Sequence, residues 1–266
     1  MDVQWALQGN MPRGDEVPKV TAALRSLGIS YHLIPIIPFS EEPLEIPTDR
    51  KMIFYGSVSM RSQVLAEGRW TPGVFYDEER FSFRALREGY GLHLLNCDAT
   101  LMTVRAFLSD TDKDPWEDLF IRPAHDSKSV MGKVLTRKEW VDTFEITRNN
   151  RHGTTDDTLI VVAPPQNIEW EWRLFVVDGE VVGASSYRYH MRLNTTEDVP
   201  QAVRQFAEFS ARAYSPSPVF VIDICERRNG ELKVVETNSM NCSGMYNCDI
   251  KAIVGSITDY VRRMGP

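Results

Sequence analysis

The sequence predicts an α/β (α+β) fold, and three observations predict it. Short apolar runs alternate with helical-looking stretches over the first hundred or so residues. A polar, acidic stretch, SDTDKDPWED at 109–118, broken by Pro115, then interrupts the chain. Beyond it, two pairs of strand-like runs are joined by Asp178-Gly179 and Asn229-Gly230, the dipeptides that most strongly signal a two-residue hairpin turn.

The first unit reads as VQWAL, YHLIPII, KMIFYGSV, GVFY and LHLLN, separated by helical stretches such as 15–27 and 98–109. That alternation suggests an α/β unit. After the break come LFIRP, SVMGKVL, a helical stretch at 136–146 and the polar loop TRNNRHGTTDD. TLIVVAPP follows as a buried strand, stopped by two prolines that deny further ladder hydrogen bonds. A hairpin spans 169–188, a helix about 197–213, a second hairpin 219–237, and a helix at about 249–263 closes the chain.

At 266 residues the chain is long enough for a well-buried core. Its 42% hydrophobic and 25% charged residues are those of an ordinary globular protein. A net charge of −7 argues against an extensive nucleic-acid surface, because phosphate contacts dominate that affinity, although a local basic pocket is compatible with it. No apolar run reaches the length of a membrane span, and the start lacks a basic stretch followed by an apolar core. The expected location is cytoplasmic, or the host cytoplasm if the protein is viral. The four cysteines, Cys97, Cys225, Cys242 and Cys248, lack CxxC spacing and are expected as reduced thiols.

The second hairpin carries the first chemical signal. With Asn229 and Gly230 as the central turn residues, Arg228 faces Glu231, Asp223 lies opposite Glu236, and Val221 lies opposite Asn238. Asp223, Glu236 and Asn238 then share a face. Opposed like charges are destabilising, and a hard divalent cation would compensate them through carboxylate and amide oxygens. The alternative is a solvated sheet face bearing two tolerated carboxylates. On the repulsion argument, Asp223→Asn is expected to be as stable as the wild type, or slightly more so, without metal.

The same counting on the first hairpin pairs Glu171 with Ser186, Arg173 with Ala184 and Arg188 with Glu169. Glu171, Arg173 and Arg188 then line one surface, with Trp172 and Leu174 on the other. This pattern suits an anion held with a metal, or else an ordinary surface ion-pair ladder. The stretch LFIRPAHDSKSVMGKV adds Arg122, Lys128 and Lys133 around a loop, where cations and backbone N–H groups hold phosphates. Neither GxxxxGK[ST] nor a dinucleotide-binding glycine fingerprint is present.

Taken in order over 119–250, FIRP, SKSVMGK, TLIVVAPP, EWRLFVVDGEVVGASSYR, FVIDI and VVETNSMNCSG resemble the ATP-grasp superfamily. More narrowly, they resemble its divergent clade named for one arginine and two lysines. The resemblance implies an ATP-grasp fold with two sheet-bearing lobes clasping ATP, about 113–165 and 166–266, preceded by a smaller α/β domain over 1–112. It implies adenine near Val161, Val162 and Ala163, and phosphate or nucleotide contacts from Arg122, Lys128, Lys133 and Glu171. Mg²⁺ ligands would be Asp223, Glu236 and Asn238, with Arg173 and Arg188 acting in catalysis. The loop at 126–133 departs from the superfamily in being poor in glycine.

Two functions follow from that resemblance. One is an ATP-dependent carboxylate–amine ligase working through an acyl phosphate, with a protein or peptide among the expected substrates. The other is a non-catalytic factor that uses ATP·Mg²⁺ to order a protein-binding surface. No general base stands out, and His125, His152 and His190 are the candidates.

Overall fold

The computed structural model describes residues 2–11, 15–37, 40, 42–125, 130–148 and 153–265. Its first sheet is parallel. Strand β1 (Val3–Gln8) leads into helix α1 (Glu16–Ser26) and β2 (Tyr31–Ile34), and β3 (Lys51–Tyr55) leads through α2 (Val58–Glu67) to β4 (Pro72–Gly73). The order is β2-β1-β3-β4. Every residue of β1 and β3 is buried, as expected of central strands covered on both faces. YHLIPII yields only a four-residue strand, because Pro35 lacks the N–H a ladder needs.

Helix α3 (Phe83–Tyr90) then leads to β5 (Thr100–Thr103) and α4 (Val104–Ser109). The stretch 98–109, expected as a helix, therefore divides. Its first half pairs antiparallel with a later strand, and the Thr103 hydroxyl caps the second half by accepting from the Ala106 N–H at 3.1 Å. LHLLN is a 3-10 turn rather than a strand, although Leu94 makes a single bridge to Val234.

Strands β6 (Asp118–Pro123) and β7 (Lys133–Thr136), helix α5 (Arg137–Thr147) and β8 (Leu159–Ala163) complete a second sheet, ordered β5-β8-β6-β7. Strand β5 precedes the polar stretch 109–118 yet belongs to this sheet. That stretch is thus a connection within the second sheet, and a division at 112 would cut the sheet.

The third sheet contains β9 (Ile168–Val177), β10 (Glu180–Tyr189) and β11 (Arg192–Thr196), then, after helix α6 (Gln201–Ala213), β12 (Val219–Arg227) and β13 (Leu232–Asn238). Its order is β11-β10-β9-β12-β13, and helix α7 (Ile250–Arg263) follows. Asp178 and Gly179 both have positive φ, as a two-residue type I′ turn requires. Sequence periodicity did not bring out α2, α3 or β11.

Alternation along β9 and β12 divides the third sheet's contacts. Trp172, Leu174 and Ile222 pack with α3 and α6, while Phe175, Val177 and Val221 pack with α7 and the first sheet. Gly183 on β10 lets α7 approach, since a Cβ there would lie 2.5 Å from Ile253 Cγ1. The first and third sheets consequently share one core. No helix among the described residues is long and apolar enough to cross a membrane.

Candidate functional site

The face of the third sheet that starts with Phe175 and Val221 turns polar one pair further along, at Arg173 and Asp223. The second hairpin reaches the expected pairing by two offsetting departures. Its loop has three residues, with Arg227 N–H donating to Glu231 O at 2.9 Å, and of Asn229 and Gly230 only Gly230 has positive φ. A bulge at Val235 then restores the count, so Asp223 faces Glu236 and Val221 faces Asn238 as the sequence predicts. The bulge has a second effect: it turns Val234 into the core on one face while leaving Glu236 and Asn238 on the other.

The first hairpin departs from the expected pairing without restoration. Bulges at Val182 and Tyr187 place Ser185 opposite Arg173, Ser186 opposite Trp172, and Arg188 opposite Glu171 rather than Glu169. Glu171, Arg173 and Arg188 still meet on one side. The first bulge puts Tyr187 on this face too, two residues beyond Ser185, and the second returns the next residue, Arg188, to it, where unbroken alternation would separate the two.

The result is an alternating chain of charge. Arg173 is bidentate to Asp223, with Nε to Oδ1 at 2.9 Å and Nη2 to Oδ2 at 2.7 Å, and the two side chains are 12% and 1% exposed. Burial pushes the Asp223 carboxyl up and Arg173 pulls it down, burial being the larger influence. Burial also opposes the charge on Arg173, yet Asp223 holds that guanidinium well above its ordinary pKa. The fork-to-fork contact fits the ionised pair.

Asn238 Nδ2 donates to Glu236 Oε1 at 3.0 Å and to Asp223 Oδ2 at 3.4 Å. Arg122, from the second sheet, stands 3.8 Å from Glu236. Glu171 is buried and accepts from the Tyr187 hydroxyl and, at 3.5 Å, from Arg188 Nη1. The expected carboxylate repulsion is therefore met by two arginines and an amide, which reverses the sign expected for the effect of Asp223→Asn.

The second sheet sorts the remaining predicted residues. Arg122 pairs with Val161 and Phe120 with Ala163, so Val161 and Ala163 lie on the face that carries Arg122. Val162 lies on the reverse face, against the core under α4 and α5. Lys133 also belongs to the reverse face. It pairs with buried Ile121, and its Nζ lies 5.7 Å from the ring centroid of buried Trp140. The structure thus separates Lys133 from Arg122, because each residue along a strand reverses direction. Lys128 lies outside the described residues, as does His152. His125 stands 4.0 Å from Glu78, and His190 sits in the β10–β11 turn against Tyr189.

The polar run after Glu236 has two destinations. Glu236 and Asn238 stay at the cluster, whereas Asn241 and Ser243 are buried and dock the loop onto the first sheet. Asn241 Oδ1 accepts from Phe75 N–H at 2.7 Å, its Nδ2 donates to Phe54 O, and Ser243 O accepts from the Tyr55 hydroxyl at 2.9 Å. The same loop carries Tyr246 beside Arg173. No sequence signal marks Tyr246, and Tyr187 was hidden by the bulges in β10.

Two carboxylates and an amide converge where Asn238 Nδ2 bridges them, so a hard cation fits if the amide turns to present its oxygen. Among the described residues, no group of three or more His, Cys, Asp or Glu side chains is arranged to hold a metal. The residues that meet there are two carboxylates with an amide, and both oxygens of one carboxylate, Asp223, also accept from Arg173. A model of the ATP-grasp domain, for the third family of the clade named for one arginine and two lysines, matches residues 84–257, more than half of the chain. The chain belongs to this ATP-grasp family.

Solved structures extend the likeness over nearly the whole length. D-cycloserine synthetase DcsG aligns with a TM-score of 0.65 at 14% identity, covering 97% of this chain and 99% of that one. The D-alanine–D-alanine ligase from Bacillus anthracis, complexed with ATP, gives 0.62 at 13% identity, covering 99% and 98%. The ATP-grasp ligase PsnB, complexed with precursor peptide PsnA2 and AMPPNP, gives 0.56 at 15%, covering 98% and 97%. At these identities the likeness is one of fold. No curated protein matches the chain.

Proposed function

We propose that the chain is an ATP-dependent carboxylate–amine ligase that forms an amide through an acyl phosphate. The observation that carries this reading is the meeting of Arg122 with the Asp223–Glu236–Asn238 cluster, where a cation from the second sheet comes within 3.8 Å of a carboxylate of the third, Glu236. ATP would lie between these sheets, with adenine against Val161 and Ala163 and its phosphates toward Arg122. When bound on Asp223, Glu236 and Asn238, Mg²⁺ supplies charge neutralisation to the phosphates.

In the reaction, an acceptor carboxylate oxygen attacks the γ-phosphorus and the bond to the ADP oxygen breaks. An amine nitrogen then attacks the acyl carbon, the bond to phosphate breaks, and the nitrogen's proton passes to the departing phosphate or to water. Charge spreads over the phosphoryl oxygens during transfer, so the protein acts by positioning and electrostatics. Arg173 and Arg188 are suited to that charge, and Arg173 reaches it pre-oriented by Asp223. The acceptor is expected to be a protein or peptide, a class supported by PsnB, whose structure holds a precursor peptide.

Nucleotide binding is tested by melting. A ligand that binds only the folded state adds about 2.7 kcal/mol at a hundredfold excess over Kd, so ATP with Mg²⁺ should raise Tm and EDTA should remove most of the gain. An unchanged curve at millimolar ATP·Mg²⁺ refutes the reading. ADP release that depends on both a carboxylate and an amine identifies the ligase. Stabilisation without such release supports ATP-gated protein binding instead.

A further inference from the structure

Tyr187 neighbours both arginines. The guanidinium carbons of Arg173 and Arg188 are each 5.5 Å from the centroid of its ring. Its hydroxyl donates to Glu171, the same carboxylate that accepts from Arg188. Tyr246 stacks on it at 5.3 Å with only 8° between the planes, and Arg173 is 5.2 Å from the Tyr246 ring. Both guanidinium groups are attracted to the negative face of an aromatic ring, and each has a carboxylate of its own, Asp223 for Arg173 and Glu171 for Arg188.

Tyr246 is held in an unusual way. Its φ is +47°, in the left-handed region that non-glycine residues seldom enter. Its neighbours fix it there: Met245 N–H donates to Glu16, Asn247 N–H donates to Ser185 Oγ at 3.3 Å, and Asn247 Nδ2 donates to Thr195 O at 3.0 Å. A strained backbone that persists under such restraint often marks a functional site.

The geometry points to Tyr187 as a positioning residue that sets the spacing of Arg173 and Arg188, so that both converge on one phosphoryl-sized oxyanion, with Tyr246 backing its ring. The inference rests on the role proposed above for the two arginines. Tyrosine is suited where phenylalanine or leucine is not. Phenylalanine would leave a buried Glu171 oxygen without its donor, and leucine would also remove the ring. Burial, followed by Asp223 and Glu171, raises the Tyr187 hydroxyl well above its ordinary pKa, so it remains a donor.

The test titrates inorganic phosphate into protein saturated with ADP·Mg²⁺, by calorimetry, for wild type, Tyr187→Phe and Tyr187→Leu. ADP·Mg²⁺ affinity is expected to stay within about threefold in both variants. Phosphate Kd should rise about fivefold to tenfold in Tyr187→Phe and further in Tyr187→Leu, as for loss of one hydrogen bond and then the ring contacts. In ¹⁵N spectra of the arginine side chains, Tyr187→Phe should shift the Arg188 signal more than that of Arg173, because only the hydroxyl arm is cut.

Unchanged phosphate affinity in Tyr187→Leu overturns the assignment. So does an equal loss of ADP·Mg²⁺ and phosphate affinity, which is the mark of a general structural role. If Tyr187→Leu does not fold, Tyr187→Phe decides by the same two titrations. Wild-type protein that binds ADP·Mg²⁺ but not phosphate overturns the two-arginine anion site itself. Wild-type protein that binds neither overturns the nucleotide reading.

Discussion

Asp223→Asn separates the reasoning from sequence and the reasoning from structure, because the two expect opposite signs. Considered only as one of two opposed carboxylates, Asp223 should be replaceable at no cost without metal. In the structure it is 1% exposed and receives two charge-assisted hydrogen bonds, at 2.9 and 2.7 Å, from a guanidinium that is itself 12% exposed. Asparagine offers Arg173 one acceptor oxygen and turns an N–H₂ toward the other donor. Removing one partner of a buried pair costs about 3–5 kcal/mol, because the remaining charge is left uncompensated. At about 2–4 °C per kcal/mol for a chain of comparable size, a loss near 3 kcal/mol lowers Tm by roughly 6–12 °C. The assay is urea or thermal unfolding in EDTA, with Glu236→Gln as a comparison. Glu236 is one-third exposed and its Arg122 partner is 3.8 Å away, so that variant should change by no more than about 1 kcal/mol. Replacing the pair together, Arg173→Met with Asp223→Leu, should recover much of the loss. If Asp223→Asn melts with the wild type in EDTA, the ion pair does not compensate this face, and the account given for it fails.

Other perturbations probe the framework around the site. Lys51 is buried and donates to the carbonyls of Val261, at 3.0 Å, and Met264 at the end of α7; Lys51→Met should cost about 1–3 kcal/mol in denaturant unfolding by leaving those acceptors without a donor. Gly183→Ala should destabilise by about 1–3 kcal/mol, since its Cβ would stand 2.5 Å from Ile253 Cγ1 and force α7 away from the sheet. Thr136→Ala removes the reciprocal cap of α5 and should cost about 1 kcal/mol. The backbone and side chain of Thr136 hold the Glu139 carboxyl below its ordinary pKa. Its contribution is thus present above the unfolded pKa and disappears as pH falls through the folded one, which an NMR titration of Glu139 would show as a midpoint below the usual glutamate value that rises in Thr136→Ala.

The local rules of the chain determined a good deal by themselves. Apolar runs bounded by proline and glycine marked β1, β3, β8 and the long hairpins, and Asp178-Gly179 makes the turn that its chemistry demands. The ordered motifs were specific enough to resemble the family whose model matches residues 84–257. The expected pairing of Asp223 with Glu236 is observed, but through a three-residue loop whose offset the Val235 bulge cancels. A bulge is a choice between two ladders of nearly equal local energy, and packing on either face decides it. Val234 enters the core while Glu236 remains at the cluster. The two bulges in β10, at Val182 and Tyr187, together bring a third side chain beside the arginines, which alternation alone would exclude. Tertiary structure also decided what compensates the carboxylates. Residues 50 apart on neighbouring strands, Arg173 and Asp223, and residues of different sheets, Arg122 and Glu236, meet only after the chain has folded. Strand parity says which face a side chain takes, as it does in sending Lys133 away from Arg122. The distance to a charge on another strand depends on how the strands and sheets pack, and no local pattern encodes it.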